Sequence, residues 1–275
     1  MKCAWQDLLN ILPPGYRTEV DRLKKKGVWE IRLRLGRCPE FVGTWGSEWL
    51  TTPVSAPDIL YVINSASKYS PWSAESISRG FLTTSGGHRI GICGKAVIRD
   101  GTLFSIKEPT GLCVRVASDH PGIAKGLPEQ GNVLIIGKPG AGKTTLLRDL
   151  IRQRSNSDRG AISVVDERGE LFPGEIFDPG LRTDILSGCS KAQGIEMLLR
   201  TMGPDIIAVD EITADADCES LIHSSLCGVK LLATAHAANR EELNSRPIYQ
   251  KLLSCEIFDW LVILQQDKSW RLERM

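Results

Sequence analysis

The chain has 275 residues, 34 Lys plus Arg against 33 Asp plus Glu, and a hydrophobic share of 42%. Those proportions exclude a disordered chain, and the formal net charge of +1 argues against a general nucleic-acid binder, which carries a basic surplus. No run of about 18–20 apolar residues occurs, so no membrane-spanning helix is expected. The opening stretch, broken by Asp7 and Asn10, predicts no signal peptide. None of the eight cysteines forms a CxxC pair, which predicts reduced thiols in a cytoplasmic protein.

The length suits two domains, and the rhythm of the sequence changes near residue 125. The predicted organisation is a smaller amino-terminal α+β domain over residues 1–125 and an α/β domain over 126–275. In the first, residues 28–35 (VWEIRLRL) alternate charged and apolar side chains as a half-buried strand does. Residues 89–97 and 112–117 read the same way, and residues 58–67 predict a helix. Gly86-Gly87, Asp100-Gly101 and Pro109 to Gly111 read as turns. Residues 121–131, rich in Pro and Gly, read as a linker.

Beyond it, short apolar runs predict central strands covered on both faces, at 133–136, 161–165, 206–209 and 231–234. Helices are expected between them, at 143–154, 192–202 and 217–226. Alternating β and α predicts a mainly parallel sheet. Residues 260–264 and 270–273 flank a polar turn and predict a closing hairpin.

Gly137, Lys138, Pro139, Gly140, Ala141, Gly142, Lys143 and Thr144 spell GKPGAGKT, which fits the phosphate-binding pattern G-x-x-x-x-G-K-[ST] between a strand and a helix. Glycines let the backbone wrap phosphate oxygens. Backbone N–H groups at a helix N-terminus favour anions. Lys143 is expected on the β- and γ-phosphates of ATP and Thr144 on Mg²⁺, with Thr145 completing the binding loop.

A phosphate loop needs an acid for the metal and a group to activate water. The strand at 206–209 ends in Asp210-Glu211, which assigns Asp210 to Mg²⁺, through water, and Glu211 to the attacking water as base. The strand before it ends in Asp166-Glu167-Arg168, with Glu170 following. Glu167 is a second candidate for positioning water, and the choice between the two glutamates stays open. The stretch LLATAHA places His236 at the same sheet edge, where open α/β sheets bind ligands, as a candidate sensor of the γ-phosphate.

Charge is unevenly placed. Residues 204–219 hold Asp205, Asp210, Glu211, Asp215, Asp217 and Glu219 with no Lys or Arg. Such clustering calls for cations, with Mg²⁺ and arginines of a neighbouring subunit as candidates. Residues 17–37 hold Arg17, Arg22, Lys24, Lys25, Lys26, Arg32, Arg34 and Arg37 against Glu19, Asp21 and Glu30. That cluster reads first as a solvated helix and strand, with a subunit, lipid or nucleic-acid contact as the alternative.

The order of phosphate loop, acidic strand end, Asp-Glu strand end and His-ended strand resembles the secretion ATPases of type II, type IV and pilus systems. LLRTMGPDIIAVDEI at 198–212 is similar to their segment leading into the second acidic strand. Those proteins usually carry Gly-Glu where this chain has Asp210-Glu211. GGHRIGICG at 86–94, VDERGE at 165–170, RTD at 182–184, LLATAH at 231–236, EIRLRLG at 30–36 and Arg246-Pro247 together resemble the stage III sporulation AA family. Thr213 departs from the Gly expected after Asp-Glu-Ile.

The resemblance implies a RecA-like P-loop NTPase core. It implies an ATPase of the mother cell, acting on the secretion-like channel to the forespore during endospore formation. It also implies a homo-oligomeric ring, a hexamer, docked on an integral-membrane component at the cytoplasmic face of a membrane. In related rings the amino-terminal domain supplies arginines to a nucleotide at the subunit boundary, and Arg89 and Arg115 are the candidates here. Two other functions fit the core: a nucleic-acid-handling ATPase of the recombinase type, and a nucleotide-gated scaffold with negligible turnover. Only Met275 follows Arg274, so no appended nucleic-acid-binding domain and no nucleic-acid partner are expected. Intact Lys143, Thr144, Asp210 and Glu211 argue against the scaffold.

Overall fold

The structure is a computed structural model, and it describes residues 3–23, 27–43, 45–68, 80–99, 101–157 and 160–275. Lys24, Lys25, Lys26 and Asp100, named above, lie outside the described residues. Contacts divide the chain into two compact units. The first takes Met1–Asp119 with Pro173–Phe177, and the second takes His120–Phe172 with Asp178–Met275.

In the first unit, α1 (Trp5–Ile11), α2 (Pro14–Leu23) and α3 (Ala56–Ser67) accompany six strands. These are β1 (Val28–Arg34), β2 (Glu40–Gly43), β3 (Gly46–Trp49), β4 (Phe81–Thr83), β5 (Arg89–Arg99) and β6 (Thr102–Arg115). The sheet runs β3-β2-β1-β6-β5-β4, antiparallel throughout. Alternation along β1 buries Ile31 and Leu33 and leaves Arg32 outside. Their face meets Leu8, Phe41, Ile59, Val62, Ile90 and Val114 in one core.

Helix α3 starts before the predicted position because Ser55 caps it. The Ser55 N–H donates to Asp58 Oδ2 at 2.8 Å and the Asp58 N–H returns to Ser55 Oγ. Pro109 to Gly111, expected as a turn, runs inside β6 instead. Cys93 pairs with Gly111 and Lys95 with Lys107, so Glu108, Pro109 and Thr110 bulge opposite Gly94. A bulge accommodates a residue that has no N–H for the ladder.

Pro173–Phe177 joins this unit through close backbone packing. A Cβ on Gly174 would lie 2.5 Å from the Ser85 carbonyl oxygen, so only glycine fits.

The second unit holds β7 (Val133–Gly137), α4 (Lys143–Asn156), β8 (Ile162–Asp166), β9 (Thr183–Ser187), α5 (Lys191–Thr201) and β10 (Ile206–Val209). Then follow α6 (Asp215–Leu226), β11 (Lys230–Ala235), α7 (Arg240–Ser245), α8 (Pro247–Ser254), β12 (Trp260–Leu264) and β13 (Trp270–Arg274). The sheet order is β13-β12-β7-β11-β10-β8-β9. All pairs are parallel except the closing hairpin of β12 and β13. Numbered from the phosphate-loop strand, the five central strands run 5-1-4-3-2, the order of a RecA-like core.

The central strands are buried on both faces, as their continuous apolar runs predict. Leu134, Ile136, Ile207 and Val209 pack on one side with residues of α5, α6 and α8. Val133, Ile135, Val164 and Leu232 pack on the other with Leu146, Leu147 and Leu150 of α4. The stretch read as a linker is folded into this unit. Ala124 and Leu127 are buried, and the Gly122 and Ala124 N–H groups donate to the buried Asp149 carboxylate at 3.0 and 2.8 Å.

Candidate phosphate-loop site

The sheet brings the sequence-predicted residues of the second unit to one edge. Strand β7 ends at Gly137, and the loop turns through Gly140 (φ 74°) and Gly142 (φ 104°) into α4. Both angles lie in the left-handed region that side chains disfavour. Lys138, Pro139 and Gly140 are exposed, Ala141 is buried, and Thr145 lies part-buried in the first turn of α4. Lys143 is buried to 6% exposure, and its Nζ donates to the Gly137 carbonyl at 2.9 Å and the Lys138 carbonyl at 3.3 Å. Burial holds its pKa below the ordinary range, against the opposing pull of Asp210 and Glu211.

Strand β11 separates β7 from β10, and its residues join the two halves of the site. Thr144 Oγ1 donates to Asp210 Oδ2 at 2.7 Å. Thr234 Oγ1 donates to the other Asp210 oxygen at 2.6 Å and accepts the Glu211 N–H at 2.8 Å. Glu211 itself has φ 50°, a costly backbone setting for a residue with a side chain. His236 Nδ1 lies 2.9 Å from Lys143 Nζ and its Nε2 lies 3.1 Å from Glu211 Oε1. An ammonium only donates, so Nδ1 accepts and the proton sits on Nε2, facing the carboxylate. Lys143, His236 and Glu211 therefore form one continuous polar chain. Arg168 approaches the second Glu211 oxygen at 3.8 Å.

The acids after β8 are placed differently. Asp166 is buried and accepts the backbone N–H groups of Glu170, Leu171 and Phe172, closing its own turn. Burial raises its pKa, opposed by those hydrogen bonds. Glu167 pairs with Lys191 Nζ at 2.5 Å. Lys191 is buried and lies 3.8 Å from Asp217, whose carboxylate caps the start of α6 by accepting the Thr213 and Ala214 N–H groups. Thr213, where the family pattern expects Gly, adds its hydroxyl to that cap, donating to Asp217 Oδ2 at 3.4 Å.

The cations expected beside the acid-only stretch come in part from this chain. Lys143 and Arg168 lie beside Asp210 and Glu211, Lys191 meets Asp217, and Lys251 meets Glu219 at 2.7 Å, while the neutral His236 donates its Nε2–H to Glu211. Three of the described basic residues at 17–37 are likewise engaged within their own unit. Arg17 donates to the Leu12 carbonyl and the Tyr61 hydroxyl, Arg32 pairs with Glu30, and Arg34 with Glu40.

Arg89 and Arg115 belong to the first unit, as register partners on β5 and β6. Arg115 also faces Glu30 across β1, and the Arg89 guanidinium lies 4.3 Å from the centre of the Phe81 ring.

A cavity of about 360 Å³ opens beside the loop, lined by Ile123, Thr145, Leu264, Lys268, Trp270 and His120 among others. Lys268 Nζ donates to the Gly140 carbonyl at 2.6 Å, tying the β12–β13 turn to the loop. This cavity and Lys268 were not legible in the sequence as site features. A larger cavity of about 810 Å³, lined by Ile206, Lys230 and Trp260 at the amino ends of their strands, lies at the opposite sheet edge. Open α/β sheets bind ligands at the carboxyl ends, which favours the smaller one.

The donor set fits a nucleotide with Mg²⁺. Among the described residues no cluster of three or more His, Cys, Asp or Glu forms a metal cage. A hydroxyl bonded to one carboxylate, as at Thr144 and Asp210, suits a hard cation that takes its other oxygens from phosphate and water.

The family model described as Sporulation stage III, protein AA matches residues 5–271. Stage III sporulation protein AA of Bacillus subtilis (strain 168) is 30% identical, over 96% of this chain and 92% of its own length. An uncharacterised protein, ycf45, of Porphyra purpurea is 26% identical over 90% of this chain, which spans 43% of that protein. Among solved structures, the pilus retraction motor PilT with bound ADP aligns with a TM-score of 0.64 at 16% identity, over 89% of this chain and 76% of that one. The ATPase DotB of Legionella pneumophila aligns at 0.59 and 15% identity, over 93% and 78%. These two likenesses bear on the fold, which is that of secretion and pilus ATPases.

Proposed function

Because this chain belongs to the Sporulation stage III, protein AA family, we propose that it is a Mg²⁺-dependent ATPase whose hydrolysis cycle powers or assembles a channel between mother cell and forespore. The observation that carries the reading is the polar chain Lys143–His236–Glu211 beside the Thr144–Asp210 pair.

The loop N–H groups from Gly140 to Thr144 hold the phosphates, and Lys143 exchanges its carbonyl partners for phosphate oxygens. Thr144 and Asp210 would hold Mg²⁺, which would supply positive charge to offset the charge developing on the phosphate. Glu211 accepts a proton from the attacking water. His236, bridging Lys143 and Glu211, registers whether Lys143 is engaged by a γ-phosphate. Glu167, paired with Lys191, positions water or the neighbouring turn rather than taking the proton. The nucleoside lies in the cavity against Ile123 and Trp270.

The working form is a homo-oligomeric ring, a hexamer by the family resemblance, docked on an integral-membrane component. Arg89 and Arg115 of one copy reach the nucleotide of the next and stabilise transition-state charge. Among the described residues no helix is long and apolar enough to cross a membrane, so docking is peripheral in this reading.

Two variants test the site. Lys143→Ala abolishes nucleotide binding. Glu211→Gln keeps binding and lowers turnover at least about a hundredfold. Unchanged turnover in Glu211→Gln removes Glu211 from the role of base.

A further inference from the structure

The hairpin of β5 and β6 outgrows the sheet it belongs to. Strand β1 pairs with β6 only at Gly111–Arg115, and β4 pairs with β5 only at Arg89–Gly91. From Lys95 to Lys107 the two strands pair only with each other among the described residues. A two-stranded ribbon without further cover is marginal in water.

The ribbon is amphipathic. Residues alternate faces along a strand and register partners share a face. Ala96 pairs with Ile106 and Ile98 with Leu103, which puts these four on one face. Lys95, Lys107 and Arg99 fall on the other, with Val97, Ser105 and Thr102 between and beside them. Ile98 is 58% exposed, Leu103 43% and Phe104 47%. Phe104 has no register partner, and the Arg99 guanidinium covers its ring, 3.7 Å from the centroid. Lys95 stands directly opposite Lys107, an arrangement of like charges that opposes folding. One acid, Asp100, lies between them in the sequence, outside the described residues.

We propose that this ribbon is a contact for an anionic lipid surface. Two observations select that occupant. The cross-strand lysines, which meet no carboxylate among the described residues, call for a negative partner. The exposed apolar face is limited to Ala96, Ile98 and Leu103, because Ile106 packs against the unit's own core, whereas a stable protein interface engages about 20–30 residues a side. Insertion at a bilayer interface needs less: a few apolar groups below the headgroups, with Lys and Arg stems reaching lipid phosphates. The inference uses the first unit alone and stands apart from the nucleotide chemistry.

The test is flotation of the full chain with phosphatidylglycerol-containing vesicles and with pure phosphatidylcholine vesicles. Binding to the first, at least about tenfold weaker to the second and weakened by salt, is expected. The double variant Ile98→Asp with Leu103→Asp loses it. Lys95→Glu weakens lipid binding about tenfold yet raises the thermal midpoint, because cross-strand repulsion becomes attraction. Both variants keep wild-type ATP binding in vesicle-free solution. Failure to float with anionic vesicles overturns the proposal, and so do variants that float like the wild type. A changed oligomeric state of either variant without vesicles also overturns it, making the ribbon a contact between copies.

Discussion

Thr234 is fully buried, and its one hydroxyl serves both acids at the sheet edge. It donates to Asp210 and receives the Glu211 N–H, so it fixes the metal-directed carboxylate and holds Glu211 in its left-handed backbone setting. Thr234→Val keeps the volume and removes both bonds. Leaving the Glu211 N–H unsatisfied costs about 1–3 kcal/mol of stability. Turnover should fall at least about tenfold while ATP still binds through the loop, and Thr234→Ser should restore most of it. Thermal unfolding and steady-state hydrolysis of the two variants measure this. Wild-type turnover in Thr234→Val would remove Thr234 from the support of the site. In the sequence, Thr234 is one more strand residue in LLATAHA, because nothing local says that β11 runs between the loop strand and the acidic strand. Lys191 was missed for the same reason: its partners Glu167 and Asp217 are distant in sequence.

At the scale of elements, the first unit is tied together by a histidine. His88 is fully buried just before β5. Its Nδ1 accepts the Ala117 N–H at 3.0 Å, and its Nε2 donates to the Ala4 carbonyl at 3.0 Å, joining the segment before α1 to the segment after β6. Burial holds its pKa below 6.5, although the Ala4 carbonyl and Asp7 pull upward. The unfolded chain then binds this proton more readily than the folded one. The stability contribution is present above about pH 6.5 and is lost as pH falls toward the lower folded pKa. The thermal midpoint of the first unit should therefore drop between pH 7 and pH 5, and His88→Gln should flatten that dependence. Asp7 adds nothing in this range. Burial acts to raise its pKa, but hydrogen bonds from Thr84, Ser85 and Gly86 hold it below 3.8, so its loss comes only in stronger acid. A flat wild-type profile from pH 7 to pH 5 would remove His88 from this role.

At the scale of the whole molecule, the proposed mechanism needs more than one copy. If Arg89 and Arg115 act on a neighbour's nucleotide, specific activity must rise with protein concentration in step with assembly. Turnover measured beside sedimentation across that range tests it. Equal specific activity in a proven monomer would count against arginines acting in trans. The balance of 34 basic and 33 acidic residues conceals local pairing. Acids near the phosphate loop find cations in their own unit, Lys191 beside Asp217 and Arg168 beside Glu211, and Arg17, Arg32 and Arg34 find carbonyls and carboxylates in theirs.

The sequence by itself determined what is local. The GKPGAGKT loop, the apolar strand runs, the acids and histidine at strand ends and the closing hairpin follow from short-range pattern, because glycine freedom, burial on two faces and turn chemistry act over a few residues. The order of strands, by contrast, is a long-range outcome. Only the tertiary structure placed β11 between β7 and β10, set His236 between Lys143 and Glu211, committed Glu167 to Lys191, and brought the β12–β13 turn onto the loop. Those contacts join residues far apart in the chain, so no window of sequence contains them.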